Sequence, residues 1–260
     1  MLVRKKRWLQ LLLLGVVIAV LLAGCAGISI TPGCKSSVDK DEMLLLLKNR
    51  QQRISSLSML TRVKLNRKGK KWSSTQALLI DNHRRMRVDM LNFFGQLTMQ
   101  LSVVGTKLQA YIPTEKLCYN GLATNNNIER FTGLPLAVDD LIALLLEKLP
   151  PSVLETVQPV TWEHGLIFPL DSGASYKLTI VDQRVHEVEY RINSYVVYQM
   201  RYTGFTQNNL YSRHLKLQFP MDEMEVTLSV DDAQLNQHLS VAQFALSPPV
   251  GTVEKALSEL

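Results

Sequence analysis

The stretch "RRMRVDMLNFFGQLTMQLSVV" (residues 84–104) reads as two β-strands joined by a turn. Met86, Val88 and Met90 alternate with Arg85, Arg87 and Asp89. Beyond Gly95, Leu97, Met99, Leu101 and Val103 alternate with Thr98, Gln100 and Ser102. A period of two with one apolar side is the mark of a half-buried strand. The turn itself, "LNFFGQL" (residues 91–97), is unusual. Turn residues are normally polar, because their backbone faces water, yet Phe93 and Phe94 stand side by side before the Gly.

Outward from this hairpin the pattern repeats. "LSMLTRVKLN" and "WSSTQALLID" flank the polar tip "RKGK", and "KLQAYIP" and "KLCYNG" follow after "GT" and "TE". Loops this short favour an antiparallel meander. After residue 158 come "TWEHGLIFPL", "ASYKLTIVD", "VHEVEYRIN", "YVVYQMRYTGF", "RHLKLQFP", "MEVTLSV" and "SVAQFALSPP", each read as one strand. Between the two series the strand rhythm breaks at "NNNIERFTGLPLAVDDLIALLLEKLPP", within which one apolar helix is predicted, ended by Pro150 and Pro151. Leu141, Ile142, Leu144, Leu145, Leu146 and Leu149 leave it hardly any polar face, so it must be surrounded by protein. A second, amphipathic helix is predicted over Asp41 to Ile54, with acids in its first turn and bases in its last. The predicted fold is mainly β with α: a single curved antiparallel sheet of about 11 strands, a half-open barrel wrapped around the apolar helix. Its concave side would be hydrophobic and able to hold something greasy.

The beginning of the chain sets the compartment. Arg4, Lys5, Lys6 and Arg7 precede the apolar run "LQLLLLGVVIAVLLAG", as in an export signal. The run is somewhat short of the roughly 20 apolar residues of a membrane-spanning helix, and an uncleaved anchor is the competing reading. The closing "LLAGC" resembles the lipobox of bacterial lipoproteins, which implies lipidation of Cys25 and removal of residues 1–24. The 236 residues left would carry a formal charge of +2 rather than +6. The basicity is thus largely a targeting feature and does not point to nucleic acid. Residues 25–40 read as a flexible tether reaching roughly 20 Å, and residues 41–260 as one domain. Ala26 and Gly27 follow the Cys where a sorting Asp would stand, which by the same resemblance implies the outer membrane. Cys34 and Cys118 are open to pairing outside the cytoplasm, but unpaired thiols are the expectation.

Chemistry-bearing motifs are scarce. The sequence holds no Gly-x-Gly, no phosphate-loop lysine motif and no Gly-x-Ser-x-Gly elbow. His186 and Glu187 of "HEVE" would face opposite sides of a strand. The expectation is no enzyme, no metal and no cofactor. Two basic groups, Arg67, Lys68, Lys70 and Lys71 at a hairpin tip and Arg84, Arg85 and Arg87 at a strand start, have two readings: a solvated turn and strand edge that discourages aggregation, or contacts to anionic lipid head groups.

Asn92-Phe93-Phe94-Gly95 between alternating strands, then Thr132-Gly133-Leu134-Pro135-Leu136, then Leu141 to Pro150, together resemble the LolB family of outer-membrane lipoprotein receptors, over about a third of the chain. The ending "FALSPPVG" (residues 244–251) is similar to lipid-carrier half-barrels of the wider LolA/LolB superfamily. The resemblance implies a half-barrel that takes acylated lipoprotein cargo from a periplasmic LolA-like carrier and places it in outer-membrane lipid. It implies a membrane-inserting loop with Phe94 in the place of the family's protruding leucine, flanked by Phe93 (where the family often has Pro) and Leu91. Leu141, Leu145 and Leu149 are candidates for lining the acyl cavity, or for plain packing. Two other functions stay open: a scaffold lipoprotein with a filled interior, and a carrier of a different amphiphile. For the Phe pair, membrane insertion competes with folding back on the domain's own core.

Overall fold

A computed structural model describes residues 39–205 and 211–257, which belong to one unit. Cys25, Cys34 and the segments read as signal and tether lie outside the described residues. Helix α1 (Lys40–Arg53) starts where Asp39 accepts the Asp41 N–H at 3.1 Å. It places Asp41 and Glu42 in its first turn and Arg50 and Arg53 in its last, matching the helix dipole at both ends. Met43 and Leu47 are its buried residues.

Six strands follow as a meander: β1 (Ser56–Arg67), β2 (Lys70–Asp81), β3 (Arg85–Leu91), β4 (Leu97–Val104), β5 (Lys107–Ile112) and β6 (Leu117–Leu122). The two-residue β1–β2 turn has positive φ at both Lys68 (50°) and Gly69 (80°), the geometry that matches strand twist in tight hairpins. Three helices intervene: α2 (Asn125–Thr132), α3 (Val138–Leu145) and α4 (Pro151–Thr156). The second strand series is β7 (Val160–Trp162), β8 (Gly165–Pro169), β9 (Ala174–Val181), β10 (Arg184–Ile192), β11 (Tyr195–Thr203), β12 (His214–Phe219) and β13 (Met224–Leu235). The short helix α5 (Val241–Phe244) and β14 (Val253–Ala256) are the last elements among the described residues.

All strands form one sheet in the order β14-β6-β5-β4-β3-β2-β1-β13-β12-β11-β10-β9-β8-β7. Every pair is antiparallel except β14 with β6. The two series join where β1 pairs with β13, Val63 opposite Leu228, while β14 and β7 remain unpaired with each other. The sheet is the predicted curved, unclosed one, with 14 strands instead of about 11.

The differences have local causes. "TWEHGLIFPL" is a hairpin, because Trp162 pairs with Gly165 across Glu163 and His164. "SVAQFALSPP" contains α5, started by a capping box between Ser240 and Gln243. The C-terminal segment crosses the convex face, where Phe244 is fully buried and its carbonyl accepts from the Ser102 hydroxyl at 2.5 Å.

The predicted single apolar helix is also corrected. It ends at Leu145, not at Pro150, because Glu147 turns left-handed (φ 53°). The Glu147 N–H donates to Leu144 O at 3.0 Å and the Lys148 N–H to Ala143 O at 2.8 Å, the paired bonds of a Schellman stop. Pro151 then opens α4 at a position where no N–H is needed. Cys118 is buried as a free thiol beside Tyr111 and Leu246.

Candidate functional site

The concave face of the sheet is built by parity. Val63 and Leu65 of β1, Leu78 of β2, Met86, Val88 and Met90 of β3, and Met99 and Leu101 of β4 all point the same way. Met200, Leu217, Val226 and Leu228 face them from β11 to β13, and together these residues bound a cavity of about 300 Å³. Its helical wall is Phe131 and Leu134 around the end of α2, with Leu141 and Leu145 one turn apart on α3. The lining is apolar except for Ser73, Ser74, Gln76 and Thr132. Trp72 and Ser73, both exposed, stand at its edge. The volume is at the lower end of the range for ligand cavities. The methionines of the lining are unbranched and fill irregular space.

Helix α3 is held over this cavity by polar side chains from the second strand series. Tyr202 donates its hydroxyl to Leu144 O at 2.9 Å and Tyr211 to Leu145 O at 2.6 Å. Leu145 O is among the last carbonyls of the helix, which need partners from outside it, while Leu144 O takes the tyrosine in addition to the Glu147 N–H. Near the other end, Tyr176 donates to Asp140 Oδ1 at 2.7 Å. Burial pushes the Asp140 carboxyl up, against the lowering effect of that bond. Tyr176, Tyr190 and Tyr198 are direct cross-strand partners on β9, β10 and β11, with ring centroids 4.9 and 5.3 Å apart.

Below α3 the chain turns through Glu147, whose buried carboxylate meets Arg50 of α1 and accepts the Ser212 N–H at 2.7 Å. Lys148 Nζ donates to Gln51 O and Asn82 Oδ1, each at 3.0 Å, and to Ile54 O. Arg84 Nε ties Asp139 to the β2–β3 turn at 2.7 Å. The asparagine-rich helix α2 leads into α3 through Gly133, which takes the left-handed conformation (φ 71°) at the α2 terminus.

The predicted loop residues separate. Leu91 is the last residue of β3, half-buried and paired with Leu97. Phe93 and Phe94 are 96 % and 82 % exposed and meet edge to face at 5.6 Å. They do not fold back on the core. The loop backbone is braced: Asn92 Oδ1 accepts from Phe94 N (2.9 Å) and Gln96 N (3.0 Å), and Gly95, at φ 76°, donates to Asn92 O at 3.0 Å.

Leu141 and Leu145 line the cavity. Leu149 does not border it; it lies past the end of α3, 2 % exposed in the core. The cavity methionines and Trp72 escaped the sequence reading. Their signal was the strand parity, which places Trp72, Gln76 and Leu78 on the face shared with Met86 and Met90.

No family model matches the sequence, and no curated protein does. Solved structures do match. A domain assigned to outer membrane lipoprotein sorting from Vibrio parahaemolyticus superposes with a TM-score of 0.55 at 13% identity, over 79% of this chain and 97% of that one. A DUF1329 family protein from Desulfovibrio piger gives 0.58 at 10% identity, again over 79% and 97%. A LolA superfamily protein from Nitrosomonas europaea gives 0.48 at 11% identity, over 80% and 98%. At these identities the first two likenesses establish a shared fold: one large, curved, unclosed sheet with a few helices.

Proposed function

We propose that this protein is an outer-membrane lipoprotein that accepts acylated lipoproteins from a periplasmic LolA-like carrier and releases them into the outer membrane. The observation that carries the reading is the apolar cavity of about 300 Å³ under α3, in the same body as a braced turn that presents two phenylalanines to solvent. An acyl chain is a ligand that needs no polar partner, and the lining offers few. The turn has a use in a membrane: a Phe side chain removes about 150–250 Å² from water when buried, a gross gain of about 4–6 kcal/mol at 25 cal/mol/Å². The fold shared with the lipoprotein-sorting domain of Vibrio parahaemolyticus supports this direction. So does the lipobox ending in Cys25, since two or more acyl chains hold a protein stably at a bilayer. Transfer runs down an affinity gradient, without a covalent step, a cofactor or nucleic acid.

The cavity favours a carrier over a scaffold with a filled interior. The test is transfer of a radiolabelled acylated lipoprotein from a soluble carrier into liposomes. The wild-type protein is expected to deliver it, and Phe94→Glu to take it up without delivering it. If neither form takes up cargo, the lipoprotein reading falls and a different amphiphile becomes the ligand to try.

A further inference from the structure

The two basic groups seen in the sequence have different fates in the structure. Arg84, Arg85 and Arg87 are committed to the fold. Arg84 bonds Asp139, Arg85 pairs with buried Asp81, and Arg87 grips Asp89 and the carbonyls of Gln243 and Ala245 at 3.1 and 3.2 Å. Arg67, Lys68, Lys70 and Lys71 have no such commitment: among the described residues none of them enters an ion pair.

Strand direction shows what lies beside them. Arg67 pairs with Lys70 at the β1–β2 tip, and Ser56 with Asp81 at the far end. Because β3 runs antiparallel to β2, with Thr75 opposite Leu91 and Asp81 opposite Arg85, the β3–β4 turn with Phe93 and Phe94 emerges at the tip end. The β12–β13 turn is there too: Arg67 pairs with Met224, and the Lys68 N–H donates to Glu223 O at 3.0 Å. That turn exposes Met221 (72 %), and Trp72 (53 % exposed) marks the edge of the cavity at the same end.

We infer that this end of the sheet, formed by the β1–β2, β3–β4 and β12–β13 turns, is a docking edge for an anionic lipid bilayer. The inference rests on the receptor reading above and deepens it by naming the surface the protein approaches. Phe93 and Phe94 on one turn, Met221 on another and Trp72 at the mouth of the cavity are exposed apolar groups spread along this end of the sheet. Such an arrangement suits entry into a fluid more than a match to one protein surface. The four cations, opposed by Asp222 and Glu223 on the neighbouring turn, supply attraction to negative head groups. An acyl chain leaving the cavity past Trp72 emerges on the side facing the lipid and avoids a passage through water.

The experiment is vesicle flotation of cargo-free protein lacking residues 1–37, since the remainder is one unit with its own core. Vesicles of phosphatidylethanolamine with phosphatidylglycerol are compared with vesicles of phosphatidylcholine. The protein is expected to float with the first and only weakly with the second. Lys70→Gln is expected to weaken binding about fivefold, and the quadruple variant Arg67→Gln/Lys68→Gln/Lys70→Gln/Lys71→Gln by more than about tenfold. Lys107→Gln, at the opposite end of the sheet where Lys107 pairs with Val104, is expected to change nothing. Equal flotation of wild type and the quadruple variant overturns the inference, as does equal binding to both vesicles or to neither. Charge-dependent binding to an acidic soluble carrier, with no vesicle binding, also overturns it. Lipid binding that tracks these charges while lipoprotein transfer fails would remove the receptor reading and leave the docking edge standing.

Discussion

Asn92 braces the backbone beneath Phe94: its side-chain Oδ1 accepts the Phe94 N–H at 2.9 Å and the Gln96 N–H at 3.0 Å. A second pair, Asn92 Nδ2 to Gln96 Oε1 at 3.0 Å, closes the loop. Side chains of this type imitate a backbone turn, and here the result is a hydrogen-bonded loop that carries two exposed rings. Asn92→Ala is therefore expected to release the loop while leaving the sheet intact. Each hydrogen bond contributes about 0.5–1.5 kcal/mol net, so the urea midpoint should fall modestly while delivery of acylated cargo to liposomes slows. Delivery at the wild-type rate would mean that presentation of the Phe pair does not matter.

The cavity and the core can be told apart by a pair of leucines. Leu145 lines the cavity, whereas Leu149, four residues on, packs in the core. Leu145→Phe pushes volume into the empty space, at a strain cost of about 1–3 kcal/mol where it overpacks. It is expected to reduce binding of a fluorescent fatty acid at least about tenfold, the factor set by about 1.4 kcal/mol of lost affinity. Leu149→Ala is expected to cost about 2–5 kcal/mol of stability with little change in acyl affinity of the folded protein. The reverse pattern would assign the binding site elsewhere.

Much of this could be seen in the sequence, and what could not has physical reasons. Strands such as β1, β3 and β4 declare themselves because one face is buried and the other wet, so Val63, Met86 and Leu101 fall on alternate positions. The end of α3 was hidden. A run of apolar residues does not reveal that Glu147 adopts φ 53°, a conformation for which Gly is the usual signal. Tertiary contacts hold it there, through Arg50 from 97 residues earlier and Ser212 from 65 residues later. The β7–β8 hairpin was missed because its turn is just Glu163 and His164 with no Gly or Pro inside it. The exposed Phe pair was legible as an anomaly, but the direction of the rings is seen only in the structure, where both are exposed.

The Arg50–Glu147 pair makes its own prediction. Glu147 is 2 % exposed, and burial pushes its carboxyl up against the opposing pull of Arg50. Removing one partner of such a pair leaves an uncompensated charge, at a cost of about 3–5 kcal/mol. Arg50→Met should show that loss at neutral pH. Because the folded-state pKa is raised above the unfolded value, the group's contribution is fully present below about 4.3 and is lost as pH rises through the folded value. Urea unfolding of Arg50→Met should thus recover part of the lost stability on acidification, more than the wild type gains over the same interval. Equal recovery in both proteins would show that the pair is not coupled as drawn.

Lys148 gives the clearest pH signature. The residue is 5 % exposed, and its amine donates to Gln51 O, Ile54 O and Asn82 Oδ1. Burial, with the nearby Arg50 charge, lowers its pKa to about 8. In the unfolded chain a lysine keeps its proton to about 10.4. Between those values the unfolded state binds more protons than the folded one, so the term from Lys148 raises stability as pH rises through that window. Burial also pushes the Cys118 thiol up, which opposes the climb once unfolded thiols ionise near about 8.5. The measurement is therefore made in a Cys118→Ala background. The tyrosines oppose the climb further up. Tyr198, Tyr202 and Tyr211 are buried with raised pKa values, so their contribution is lost once unfolded tyrosines begin to ionise near about 10. Urea unfolding measured across this range should therefore show stability climbing from about pH 8 and turning over near about pH 10. Lys148→Met leaves the Gln51, Ile54 and Asn82 oxygens without their donor and is expected to lower stability by about 1–3 kcal/mol. It should also abolish the climb while keeping the fall above it. A climb of equal size in the variant would place its origin in another group.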